Sequence, residues 1–111
     1  MNKLTIIGNL TKEPENRTTQ DGKTVCNFTV AVNRRKPDAN GQDVDFFRVS
    51  AWGQLGENCG RYLAKGKKVC VVGRVSVRTF TSQNGETNFS LEVIADEVEF
   101  LTSSSGYTEA R

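Results

Sequence analysis

Phe46, Arg48, Ser50 and Trp52 stand at every second position, so a strand through them would project all four from one face. Arg74, Ser76, Arg78 and Phe80 repeat the spacing later in the chain. Aromatic rings interleaved with guanidinium groups combine two chemistries. A ring offers a π-face for stacking, worth roughly 1 to 3 kcal/mol per unpaired nucleic-acid base, and arginine neutralises phosphate. The same rings could instead pack against a covering loop or a second chain. A packing face, however, rarely carries Arg48, Arg74 and Arg78 without acidic residues on the same strands. Arg34-Arg35-Lys36 reads alone as a solvated loop, and its closeness to the aromatic segments adds a phosphate-binding reading.

Other chemistries find little material. The chain has no histidine, which removes the commonest general base and the imidazole of most catalytic triads. Cys26, Cys59 and Cys70 are odd in number and form no CxxC pair, so they read as reduced, small apolar residues. Asp43 and Asp45, or Asp96, Glu97 and Glu99, could meet a cation but lack the glycine-bearing loop of a magnesium or calcium site. Gly8, Gly53 and Gly73 are scattered singly, form no phosphate-binding fingerprint and are expected at barrel corners. No enzyme activity, cofactor or metal is expected.

The elements that must position these residues are mostly strands, because β-branched residues outnumber Leu and Ala about two to one. Leu4, Ile6, Gly8 and Leu10 alternate in a first strand. After the Asp21-Gly22 turn signal, Cys26, Phe28, Val30 and Val32 give the second, and about Val44 to Trp52 the third, with Phe47, Val49 and Ala51 facing inward. Leu55, Cys59, Tyr62 and Leu63 share one face of a short helix ending at a Gly66 cap. Val69, Val71, Val75 and Val77 form the inner face of a fourth strand, which turns at Asn84-Gly85 into a fifth carrying Phe89, Leu91, Val93 and Ala95. Three strands, a helix and two strands is the order of an OB-fold, a five-stranded Greek-key barrel. A β-sandwich competes, but five strands are few for one.

At 111 residues the chain is one domain, with residues 1–102 expected to form the barrel and 103–111 a flexible C-terminal remnant. Fifteen Lys and Arg against 13 Asp and Glu give a net charge of +2, too mild to identify a nucleic-acid binder alone. The basic residues lie mid-chain, apart from the late acids Glu92, Asp96, Glu97 and Glu99. There is neither a run of roughly 20 apolar residues nor a signal peptide's apolar stretch, so a cytoplasmic protein without membrane contact is expected.

Nearly the whole chain, about Asn2 to Leu101, resembles the bacterial and bacteriophage single-stranded DNA-binding proteins of the SSB type. The likeness lies in Asn2-Lys3-Leu-Thr-Ile-Ile-Gly-Asn-Leu10, Glu13-Pro14-Glu15 with Arg17, Phe28-Thr-Val-Ala-Val-Asn33, Phe47-Arg48-Val49 with Trp52-Gly53, Tyr62-Leu63 with Lys65-Gly66, and Val72-Gly73-Arg74. It implies an OB-fold that assembles into a homotetramer and binds single-stranded DNA without sequence preference during replication, recombination and repair. The family's base-stacking aromatics fall on Phe46, Trp52 and Phe80. Arg34, Arg35, Lys36, Arg48, Arg74 and Arg78 are then the expected phosphate contacts, with Arg34-Arg35-Lys36 standing where the family often has a further aromatic. Members commonly carry a Gly- and Gln-rich tail with an acidic tip that recruits repair and replication proteins. This sequence stops at Tyr107-Thr108-Glu109-Ala110-Arg111, as either a truncated or a short tailless member would, which leaves recruitment through such a tail open. The residues alone leave two other readings open: an OB-type module whose aromatic face binds a protein chain, and RNA in place of DNA.

Overall fold

The computed structural model describes residues 1–35, 41, 43–101 and 108–110. Seven strands and one helix follow in the order β1 (Leu4–Leu10), β2 (Glu15–Thr18), β3 (Thr24–Asn33), β4 (Val44–Trp52), α1 (Gly53–Tyr62), β5 (Lys68–Thr81), β6 (Thr87–Leu101) and β7 (Thr108–Ala110). Neighbouring strands run β1-β5-β6-β4-β3-β2, and β1 bends back to β3 through Asn9 with Ala31 and Leu10 with Val30. That return closes the sheet into the expected OB-fold barrel, with the single helix between its third and fourth long strands. Val30, Val49, Val69, Val71, Val98, Cys26 and Cys59 are fully buried at its centre. The inward set comes from the period-2 alternation of every long strand.

Two strands were not foreseen. β2 is polar and exposed throughout, so no alternation marks it, and it gains order by pairing with β3 from Glu15–Asn27 to Thr18–Thr24. β7 pairs with β6, while residues 102–107 and 111 lie outside the described residues.

The helix forms where expected, but Gly66 does not cap it. α1 ends at Tyr62, with the Leu63 N–H donating to Cys59 O at 2.9 Å. Gly66 instead takes φ +86° in the next turn, donating its N–H to Leu10 O at 2.9 Å, which ties the turn to β1. Glycine inside α1 has a packing reason. A Cβ on Gly56 would strike Ala51 O, and one on Gly60 the Asn16 side chain, so the helix lies closer to β4 and β2 than alanine would permit.

The inward faces of β5 and β6 extend less far than the alternation implies. Val69 and Val71 are buried, yet Val77, Phe89 and Leu91 are exposed, because beyond Val75 the two strands leave the barrel as a two-stranded arm. The pairing skips a residue at the base of this arm: Val72 pairs with Glu97 and Gly73 with Ala95, leaving Asp96 unopposed. The skip lets both Ala95 and Val98 face the core despite their odd spacing. Gly73 lies at this bulge and Gly8 against Ala31, where a Cβ would meet Ile94 O and Ala31 O respectively, while Gly53 begins α1 at φ +65°. Gly8 lies where β1 bends back to β3 and Gly73 at the bulge, each at a close backbone approach, whereas Gly53 serves the start of the helix through its positive φ.

Burial pushes the Cys26 thiol from 9.0 up to about 11, and burial together with the nearness of Cys26 pushes Cys59 up to about 12. The unfolded thiols release their protons above pH 9 and the folded ones do not. Stability is therefore fully present below that pH and falls as pH rises from about 9 towards 11, by up to about 1.4 kcal/mol per unit for each thiol. Urea unfolding of Cys59→Ala should show a shallower loss across this window than the parent; equal slopes would refute the thiol origin.

Candidate nucleic-acid interface

Pairing across three strands brings the two aromatic and basic segments together. β4 runs parallel to β6 through Val49–Val93 and Ser50–Ile94, and β6 runs antiparallel to β5 through Ser76–Glu92, Arg78–Ser90 and Phe80–Asn88. Between them opens a groove of about 930 Å³ whose lining includes Arg17, Arg48, Trp52, Ser76, Arg78 and Glu92. Trp52 is 44% exposed at one end. Phe46, 63% exposed, stands beside the groove over a recess of about 220 Å³ walled by Leu4, Phe47, Val75, Leu91 and Val93. Phe80, 48% exposed, lies farther along the arm at the same parity as Arg78. The three aromatics therefore present their rings to solvent, but only Trp52 lines the main groove.

The expected phosphate contacts divide. Arg48 and Arg78 line the groove and form no ion pair with any described residue. Arg74 is bound to Asp96 at 3.3 Å, both side chains being more than half exposed. Arg34 donates from Nε at 2.9 Å and from Nη2 at 2.7 Å to one carboxylate oxygen of Asp45. The basic residues are thus less separated from acids than the sequence indicates. Arg34 and Asp45 stand on either side of the β3–β4 connection, and Arg74 and Asp96 meet at the base of the arm, neither pairing being visible in chain order. Arg35 is exposed, and Lys36 lies outside the described residues.

Ser50 takes the groove face with Arg48 and Trp52, as parity implies, yet it is only 3% exposed, because Asn27 of β3 and Glu92 of β6 flank its side chain. Its hydroxyl lies 2.8 Å from Asn27 Oδ1 and against Glu92 Oε2. Asn27, Glu92, Glu15, Asn16 and Arg17 join the groove unforeseen. Arg17 and Glu15 come with β2, which carries no sequence signature, and Glu92 was counted among the late acids although cross-strand pairing sets it opposite Ser76. Ser50→Ala should cost about 1 to 3 kcal/mol of stability by leaving the Asn27 and Glu92 side chains without this buried partner, and chemical denaturation would measure it. A change within a few tenths of a kcal/mol would mean that water replaces the hydroxyl.

Residues 1–101 match the profile of the single-strand binding protein family. The chain is 44% identical over 103 residues to single-stranded DNA-binding protein 1 of Clostridium acetobutylicum, covering 91% of this chain and 94% of that protein. It is 40% identical over 108 residues to a single-stranded DNA-binding protein of Caldanaerobacter subterraneus subsp. tengcongensis, covering 96% and 72% respectively. With the single-stranded DNA-binding protein of Oceanobacillus iheyensis the identity is 37% over 121 aligned positions, spanning 100% of this chain and 75% of that one. A Greek-key barrel with an aromatic and basic groove, matched along almost its full length, makes this chain a member of the single-strand binding protein family.

Proposed function

We propose that the protein binds single-stranded DNA without regard to sequence, without catalysing a reaction, and so protects it during replication, recombination and repair. The observation that carries this reading is the pairing, in one open groove, of an exposed tryptophan with two arginines that no described carboxylate neutralises. Base faces are free to stack only when unpaired, so Trp52, Phe46 and Phe80 favour a single strand over a duplex. Arg48 and Arg78 hold its phosphates. Arg35 and Lys36 add to them from the β3–β4 connection, whereas Arg34 and Arg74 contribute only as far as phosphate draws them from Asp45 and Asp96. Together with family membership, the shape of the groove places this reading above a protein-binding module.

The fold also supports self-association. Ile7, Val77, Phe89 and Leu91 are exposed on a single chain and offer apolar surface to a second copy. A homotetramer, the assembly implied by the resemblance, would cover part of it. This protein would act in the cytoplasm, where its substrate is exposed during DNA synthesis.

Trp52 is the chain's single tryptophan, so its fluorescence reports directly on the groove. Oligo-dT should quench it, duplex competitor should leave the quenching intact, and log K should fall against log salt by about 0.7 for each phosphate neutralised. Trp52→Ala and Phe80→Ala should each weaken binding by about 1 to 3 kcal/mol, and Arg78→Ala should make the salt slope shallower. Unchanged affinity in both aromatic variants would defeat the stacking assignment. Light scattering should give four times the chain mass, and a monomer mass would remove the tetramer from this reading.

A further inference from the structure

Glu92 is the residue that the stacking-and-phosphate reading leaves unexplained. It lines the main groove and each of the three smaller recesses beside it, always in company with Arg48. A carboxylate in a phosphate-binding groove weakens backbone contacts by simple repulsion, so its place there calls for a role that repulsion does not spoil. Its surroundings supply one. Ser50 has one hydroxyl proton and stands against two acceptor oxygens, Asn27 Oδ1 and Glu92 Oε2, so it can serve only one of them at a time. Glu92 Oε1 accepts no hydrogen bond from any described residue. The exposed arginines thus attract the sugar-phosphate backbone, and the half-buried carboxylate repels it. What Glu92 Oε1 can accept is an N–H donor.

We propose that Glu92, positioned by Ser50, accepts a hydrogen bond from the exocyclic amino group of a base lying in the groove. It thereby favours amino-bearing bases at that subsite over bases presenting oxygen at the same position. Cytosine offers its N4 amino group there, whereas thymine and uracil offer O4, which the carboxylate repels. The inference rests on the single-strand reading of the groove and adds a base-dependent component to binding otherwise indifferent to sequence. Glu92 turns the bases inward while Arg48 and Arg78 hold the backbone outward.

Oligo-dC and oligo-dU of equal length differ at ring position 4 and lack the thymine methyl, so they isolate this contact. Their affinities for the full chain are measured at pH 8 by Trp52 fluorescence, for the parent and for Glu92→Gln. The dC-to-dU affinity ratio should fall at least about fivefold in the variant, the equivalent of one hydrogen bond of about 1 kcal/mol. Glu92→Asp, which withdraws the carboxylate by one methylene, should lower the ratio too, and it replaces Glu92→Gln if that variant fails to fold. An equal gain in affinity for both oligomers with an unchanged ratio would overturn the proposal in favour of plain repulsion. Equal weakening of both would overturn it in favour of a structural role. If both oligomers bind the parent yet leave Trp52 emission unchanged, the groove reading itself fails; if both quench it and the ratio stays fixed, only the base contact fails.

Discussion

Val49 pairs with Val93 and Ser50 with Ile94 where β4 and β6 run parallel, and without this joint the two aromatic and basic strands would belong to separate surfaces. β4 reaches the rest of the barrel by antiparallel pairing with β3, and β5 by pairing with β1 and β6. The short parallel contact connects those two halves beside the groove. It also accounts for the burial of Ser50, which lies between Asn27 of β3 and Glu92 of β6. Core and binding face thus share one set of backbone contacts: Val49 and Val93 fill the interior, and the neighbours they bring with them, Arg48 and Glu92, line the recesses outside.

Charge on this face is arranged by position more than by amount. A net charge of +2 gives little long-range attraction for a polyanion, so binding must depend on where the arginines stand. Arg34 and Arg74 are held by Asp45 and Asp96, while Arg48 and Arg78 flank the open groove with no such partner among the described residues. Desolvating an arginine already paired with aspartate brings less than neutralising a phosphate with an unpaired one, and this difference concentrates attraction on a narrow strip of the surface.

Much of this architecture was legible in the residues. Period-2 alternation marks all five long strands, and parity alone selects Phe46, Trp52 and Phe80 as exposed. Parity gives Ser50 its groove-facing side but not its burial, and Val77 its side but not its exposure, for one reason. Alternation tells which side of a strand a residue takes, but burial depends on what surrounds that side: Asn27 and Glu92 flank Ser50, and no described residue covers the arm at Val77. β2 was hidden because an exposed polar strand on a sheet edge has no apolar rhythm to reveal it. Glu92 was hidden differently, since its partner Ser50 stands 42 positions away in the chain, and only the closed barrel brings the two together.

The arm formed by β5 and β6 also acts as a ruler. Outside the barrel its ladder is free of core packing, and each residue advances the strand by about 3.3 Å while reversing its side. Adding two residues to each strand would carry Phe80 about 7 Å outward and return it to the same face, whereas adding one would turn its ring to the opposite side. Inside the barrel, the unopposed Asp96 is a single-residue step of this kind, absorbed by a bulge that restores the inward phase for Val98 and Phe100. Changes in arm length that keep an aromatic in the path of the strand are therefore confined to even steps, unless a second bulge resets the count.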